Sequence, residues 1–510
     1  MRVATAARVT TASPTPAGRR VPHTAPSSPR AAAFSSRFIF SILSEEDQFP
    51  VPPLPTLASL THDLERGRTT ALALVESCLA AIHDVDGEGG YTFVDVDAAG
   101  ALKTASAFDA MREAGSAPSP FAGIPIAVKD LFDVQGQVTR AGSTVLAGNQ
   151  PAQRDAECIG RLRRMGFVII GRTNMTEFAY SGLGLNPHYG TPRSRWRPHE
   201  SRVPGGSSSG SAIAVAMGMA HAGIGTDTGG SCRIPAAFNS LVGFKPTARR
   251  VPLDGIVPLS SSLDSVGSIA RSVHCCATLD TILAGETTRP LEARPLHGLR
   301  LAVPRNIALD DIESCVAEEF DRALHRLSRN GALIERVVVP ELDEVAELNA
   351  KGGLAAAESF AWHRHLLEER ATEYDPRVLA RIRCGADQSA ADYIELHGKR
   401  RSLITRATAR IAPYDAVLMP TTPILPPPIE GLTEDADFQR VNLLALRNPT
   451  FINIIDGCAL SLPINRDNKA PVGLMIAGPA NTDRDILSIA LAIEALGRDW
   501  DRSPIAADEV

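Results

Sequence analysis

The sequence predicts an α/β protein in which helices cover a central β-sheet, and three observations carry that reading. Apolar runs of strand length stand at Ile124–Val128, Phe167–Ile170, Ala222–Gly225 and Leu299–Val303. Between them lie stretches with helical spacing, such as Ala156–Met165 and Ser211–Ala220, and alternation of this kind is the mark of an α/β sandwich. The chain has 510 residues, of which 44% are hydrophobic, so it can bury a large core.

Taken in order, the elements begin with Thr56–Arg66 and Thr69–His83. The second carries Thr69 or Thr70 as N-cap and places Leu72, Val75, Leu79 and Ile82 on one face. The segment from about 305 to 410 reads as a charged, mostly helical elaboration, with Ile312–Asn330 the clearest amphipathic helix. Further strands are expected at Ala416–Met419 and Val472–Ile476, and a closing helix at Ile486–Leu496. The proline-rich run Pro420–Pro428 reads as a loop on the functional side of the sheet rather than a domain linker. No internal repeat interrupts this order, which gives one domain from about 53 to 510.

Residues 1–52 read as a poorly ordered extension. The first 44 contain six arginines and many Ser, Thr, Ala and Pro, with no acidic residue before Glu45. That composition fits a disordered tail, translated upstream sequence, a functional arm or an organellar transit segment. With a transit segment the protein would be organellar; otherwise a cytoplasmic location is expected. The formal charge of −6 gives no global attraction to nucleic acid or an anionic membrane. No apolar stretch approaches the roughly 18 residues a membrane span needs. The eight cysteines form no C-x-x-C pair and have no histidine at zinc-ligand spacing, so they read as reduced thiols and no metal or cofactor is called for.

The chemistry concentrates in two glycine-rich runs. Gly205–Ala212 reads Gly-Gly-Ser-Ser-Ser-Gly-Ser-Ala, and Gly225–Pro235 reads Gly-Thr-Asp-Thr-Gly-Gly-Ser-Cys-Arg-Ile-Pro. Glycines let backbone N–H groups converge on one spot, as a developing oxyanion requires. In the second run the N–H groups of Thr228, Gly229, Gly230 and Ser231 would cluster ahead of a helix start. Cys232 beside them reads as small filler. Lys129 ends the apolar run Gly123–Asp130; buried there, it would lose affinity for its proton and become able to accept one from a serine. Lys129, Ser207 and Ser231 are therefore the candidate catalytic residues. Gly206–Gly210 also satisfies G-x-S-x-G, the nucleophile elbow with Ser208 as nucleophile and a distant histidine. The preceding Arg193–Pro204 is polar and broken by Pro198 and Pro204, where that motif expects a strand.

Gly205–Thr247, with the GIPIAVKD run at Gly123, TNMTEFAYSGLGLNPHYGTP at Thr173, PTTPILPPPI at Pro420 and PVGLMIAG at Pro471, resembles the amidase signature family. The resemblance covers nearly everything after residue 55. It implies the amidase signature fold, with a mixed central sheet between helices, and a Ser-cisSer-Lys hydrolase. Ser231 would be the nucleophile, Ser207 the bridging serine on a cis peptide and Lys129 the base. Thr228, Gly229, Gly230 and Ser231 would supply the oxyanion hole. Asp227, Arg233 and Ser208 would hold these loops, and Met175, Phe178, Ala179, Tyr180 and Ser181 would wall the acyl pocket. The substrate implied is a small linear amide, cleaved through an acyl-serine to a carboxylic acid and an amine or ammonia. Carbamate or ester hydrolysis by the same triad is one alternative, and the A subunit of a tRNA-dependent glutamyl amidotransferase is another. Asp375–Arg401 looks more like the standalone hydrolases. Homodimerisation is a further expectation of the resemblance.

Overall fold

A computed structural model of the protein describes residues 54–465 and 469–497. The expected N-terminal extension lies outside the described residues. From Leu54 onward the chain forms one compact unit built on an 11-stranded sheet. Its strands are β1 (Phe93–Val96), β2 (Pro125–Lys129), β3 (Val168–Thr173), β4 (Gly223–Thr226), β5 (Val242–Lys245), β6 (Val266–Ala270), β7 (Arg300–Pro304), β8 (Leu333–Val337), β9 (Ala416–Pro420), β10 (Cys458–Pro463) and β11 (Gly473–Gly478). Their spatial order is β1-β3-β2-β4-β6-β5-β10-β11-β9-β7-β8.

The sheet is mixed. β2 runs parallel to both β3 and β4, and β7 parallel to β8 and β9, whereas the ladder from β4 through β6, β5, β10 and β11 to β9 is antiparallel throughout. Both faces are covered. Ile126, Val128 and Ile169 enter one hydrophobic cluster, while Ala127, Val168 and Ile170 enter another with the helix Ala71–Ile82. Alternate side chains of a strand point to opposite faces, so β2 and β3 read as continuous apolar runs because neither face meets water.

The first helices are where the pattern puts them. Thr56 caps Leu57–Glu65 through a capping box with Ser59, and Thr70, not Thr69, caps Ala71–Ile82 by accepting from the N–H of Ala73. The helix expected at Ser211–Ala220 spans Ser209–Ala216 instead. The region from 305 to 410 is chiefly helical, with Ser314–Arg329, Gly353–Arg370, Pro376–Arg383 and Ala390–Ile411, but it also contributes the edge strand β8. The sequence reading misses β1, β5, β6, β8 and β10. β5 and β6 are short and carry a glycine each, which lowers strand propensity. In β5 that glycine is a packing requirement, since a Cβ on Gly243 would lie 2.4 Å from the carbonyl oxygen of Cys232.

The topology brings the chemistry to one place. The ends of β2 and β4 are neighbours, so Lys129 closes one strand beside Thr226 closing the other. Helix Ser209–Ala216 starts from the first glycine-rich run, and helix Arg233–Phe238 starts from the end of the second. Across the entry to the first run, Val203 donates to Pro427 O at 3.0 Å and Arg202 donates to Pro426 O at 2.6 Å. The proline-rich loop therefore edges the glycine-rich segment.

Candidate active site

Lys129 is wholly buried, and its Nζ donates to the hydroxyls of Ser207 at 2.7 Å and Thr226 at 3.0 Å. Burial pushes its pKa down from the ordinary 10.5 to about 8, although Asp264 and Asp227 pull the other way. A lysine in this state gives up its proton near neutral pH and can accept another from a hydroxyl.

Ser207 follows a cis Gly206–Ser207 peptide. Its carbonyl accepts the N–H of Thr176 at 3.1 Å, and the N–H of Gly206 donates to Gly182 O at 2.8 Å. The turn is thereby fastened to the segment that follows β3. Only glycine fits at 206, because a Cβ there would stand 2.5 Å from the Gly184 nitrogen. Ser208 ends the turn: its hydroxyl donates to Thr226 O at 3.3 Å and its N–H to Ser231 O at 3.4 Å. That last bond ties the two serine runs together.

Asp227 organises the second run. Its carboxylate accepts the N–H of Gly230 at 2.8 Å and of Cys232 at 3.1 Å, and takes a two-pronged contact from Arg233 at 3.0 and 2.8 Å. Asn453 donates to it at 2.9 Å and accepts from Arg233 at 2.6 Å. Asp227 and Arg233 are both wholly buried. Burial alone would raise the Asp227 pKa, but the charge and hydrogen bonds of Arg233 outweigh it and hold the carboxyl well below its usual range.

Of the four N–H groups expected to converge, that of Gly230 is thus engaged by Asp227. Those of Thr228, Gly229 and Ser231 have no acceptor among the described residues. The Thr228 hydroxyl donates to Asp264 Oδ1. Ser231 is buried to within 4% and sits where the turn meets the helix Arg233–Phe238.

The expected pocket wall divides. Tyr180 and Ser181 line a narrow cleft with Thr176, Asp375, Arg377, Arg381 and Phe438 among others, whereas Met175, Phe178 and Ala179 do not line it. Phe178 turns away, its ring 4.3 Å from that of His363 and 5.3 Å from that of Tyr374. Left-handed backbone at Phe178 and Ala179 (φ +48° and +61°) makes this reversal. Ser181 donates to Asn442 Oδ1 at 3.0 Å. Arg381 lies 4.4 Å from the Tyr180 ring centroid and donates to Tyr180 O at 2.6 Å.

The sequence reading does not name Thr226, Asp264, Arg381, Asn442 or Asn453. Thr226 stands inside the second glycine-rich run, so its proximity to the lysine strand could have been inferred. The asparagines have no local signal, because they arrive from the distant helix Asp435–Ile454.

The chain matches the Amidase family over residues 73–487. The protein belongs to that family. The amidase is 37% identical over 451 residues to a 2-amino-5-chloromuconic acid deaminase of Comamonas testosteroni, covering 86% of this chain and 96% of the relative. It is 33% identical to the A subunit of the glutamyl-tRNA(Gln) amidotransferase of Symbiobacterium thermophilum, covering 87% and 97%. The solved peptide amidase of Stenotrophomonas maltophilia superposes with a TM-score of 0.73 at 28% identity, covering 88% of this chain and 98% of that one. The protein has the amidase signature fold and is an amidohydrolase acting on carbon–nitrogen bonds other than peptide bonds. Among the described residues no helix is long and apolar enough to cross a membrane.

Proposed function

We propose that this amidase cleaves a small linear amide through a Lys129–Ser207–Ser231 relay and a covalent acyl-serine. The observation that carries the reading is the 2.7 Å contact between buried Lys129 and Ser207. Neutral Lys129 accepts the proton of Ser207, Ser207 accepts that of Ser231, and Ser231 Oγ attacks the amide carbon. The carbonyl oxygen becomes an oxyanion facing the free N–H groups of Thr228, Gly229 and Ser231, with Gly230 held in place by Asp227. As the C–N bond breaks, the relay returns a proton to the departing amine or ammonia. Water then attacks the acyl-serine by the same route and releases the carboxylic acid.

Arg381 supports an acidic group on the substrate. Arg377 and Asp375 line the same cleft, but Arg377 pairs with Asp435 at 2.8 Å and the Asp375 carboxylate accepts the Arg377 N–H, whereas Arg381 has no carboxylate at ion-pair distance among the described residues. The relative named for 2-amino-5-chloromuconic acid fits the same chemistry. Membership of an amidotransferase is the second reading, favoured by the relatives of that class; co-purification with a second, different chain would establish it.

The test is exposure to a fluorophosphonate, followed by intact-protein mass spectrometry and mapping of the modified peptide. Labelling at Ser231, lost in Lys129→Ala, is expected and would justify a screen of small acidic amides. Labelling at Ser208, or labelling that survives Lys129→Ala, would overturn the relay.

A further inference from the structure

Between β5 and β6 the chain passes through Ser260–Ser265 and includes Asp264, a carboxylate only 7% exposed. The relay leaves it without a role. Its oxygens accept three donors: Oδ2 takes the N–H of Leu259 at 3.0 Å and of Ser260 at 3.1 Å, and Oδ1 takes the hydroxyl of Thr228. The next residue locks onto the same turn, since Asp227 N–H donates to Ser265 O at 2.8 Å and Ser265 Oγ donates to Asp227 O at 2.9 Å. On the outer side, Glu358 of the helix Gly353–Arg370 accepts the Ser262 N–H at 3.0 Å and the hydroxyls of Ser260, Ser262 and Tyr393. One short loop is thus gripped by the helical layer at one end and grips the second glycine-rich run at the other.

We propose that Asp264 is a positioning residue for the hydrolysis, fixing the Thr228 side chain and so the first N–H of the Thr228–Ser231 turn while setting a negative charge towards Lys129. The inference rests on the relay reading above. Two physical consequences follow. A Thr228 hydroxyl that gives its proton to a buried carboxylate has one rotamer, and the backbone carrying it cannot swing out of line with the developing oxyanion. A negative charge near Lys129 favours its protonated form.

The charged groups acting on Lys129 are Asp264 and Asp227, while burial keeps the neighbouring Cys232 a neutral thiol; burial of the lysine outweighs both carboxylates and leaves it at about 8. Burial raises Asp264 to about 6; its Thr228, Ser260 and Leu259 donors oppose the rise and nearby Glu358 adds to it. Asp264 is therefore ionised across the range in which Lys129 titrates. Asp264→Asn removes the charge with little change of shape, so Lys129 should release its proton at lower pH. Thr228→Val removes the held hydroxyl but leaves the charge.

The experiment measures the second-order rate constant for fluorophosphonate labelling of Ser231 between about pH 5 and 10, read by intact mass. In that reaction Ser231 Oγ bonds to phosphorus, fluoride leaves, the serine proton passes into the relay, and the phosphoryl oxygen takes the oxyanion position. Wild type should lose reactivity below about pH 8. Asp264→Asn should move that limb down by about half a pH unit or more and lower the plateau about tenfold. Thr228→Val should lower the plateau similarly without moving the limb. An Asp264→Asn protein with the wild-type limb overturns the inference, whether its plateau falls or not, because a purely structural loss does not move a titration. If Asp264→Asn fails to fold, an unchanged plateau in Thr228→Val overturns it equally. A wild-type protein whose labelling survives Lys129→Ala instead overturns the relay, and the inference with it.

Discussion

Two lysines end strands in the interior of this protein, and the regions around them differ in what each lysine can pass a proton to. Lys129 closes β2 and Lys245 closes β5; both are wholly buried, and burial pushes each down to about 8. Their partners differ. Lys129 donates to the hydroxyls of Ser207 and Thr226, which can themselves release a proton. Lys245 donates to the carbonyl oxygens of Pro246 at 2.8 Å and Gly457 at 2.6 Å, which cannot. A depressed pKa marks both sites, but only one of them is connected to something that can react.

The largest expected effect breaks or upholds this contrast directly. Lys129→Met should cut turnover of an amide substrate by at least about 10³-fold, as removing a member of a catalytic triad does. Lys245→Met should stay within about threefold of wild type once folded. Steady-state kinetics on a hit from the amide screen decides it. Equal losses in the two variants would mean that burial, not connection to the serines, is what matters.

The candidate site was legible because its residues lie in consecutive runs. Gly205–Ala212 and Gly225–Pro235 carry the two serines, Asp227 and Arg233 within two short runs, and glycine marks the close approach that Gly206 makes to Gly184. The parallel strands β2 and β3 were legible for the same reason, from the apolar runs Ile124–Val128 and Phe167–Ile170. What escaped depends on distance. β5 and β6 are strands because of what they pack against, and Asn453 reaches Asp227 across 226 positions of sequence. The Phe178–Ala179 reversal escaped because two consecutive left-handed non-glycine residues are held by their surroundings.

The next effect concerns the pair that braces the Ser231 turn. Asp227→Asn should lower turnover about a hundredfold and destabilise the fold by about 3 to 5 kcal/mol, because Arg233 would be left buried without its counter-charge. The pair also fixes a sign with pH. The Asp227 carboxyl is held below its unfolded value, so its contribution is complete above about pH 4 and is lost only as pH falls towards its folded value. Acid unfolding monitored by circular dichroism should therefore be shallower in Asp227→Asn than in wild type; parallel curves would mean that the pair contributes little.

Smaller again is the stability difference between the lysines. Lys129 binds its proton up to 10.5 when unfolded but only to about 8 when folded, so stability from this group rises with pH across that window. Below it the folded state carries the full cost, roughly 3 kcal/mol. Lys129→Met relieves that cost and takes a donor from two hydroxyl oxygens, which, unlike carbonyls, can still bond by donating their own protons; its melting temperature at pH 7 should equal or exceed wild type. Lys245→Met gains similar relief but strands two buried carbonyls at about 1 to 3 kcal/mol each, so it should melt below Lys129→Met. The reverse order would remove the contrast between the two regions.

The smallest effect is expected at the histidines, and it separates the relay from the nucleophile elbow at Ser208. An elbow serine needs an imidazole to take its proton. The Ser208 hydroxyl instead donates to Thr226 O at 3.3 Å. His188 pairs with Glu177 at 2.8 Å, and His363 Nδ1 with the Tyr374 hydroxyl at 2.9 Å, and neither histidine contacts Ser208. Burial also lowers the His363 pKa to about 3, which makes it a poor base for a serine proton at working pH. His188→Gln and His363→Phe should therefore change turnover by no more than about threefold, with fluorophosphonate still at Ser231. A histidine variant as damaged as Lys129→Met would return the nucleophile to Ser208, because a lysine relay has no step in which an imidazole takes part.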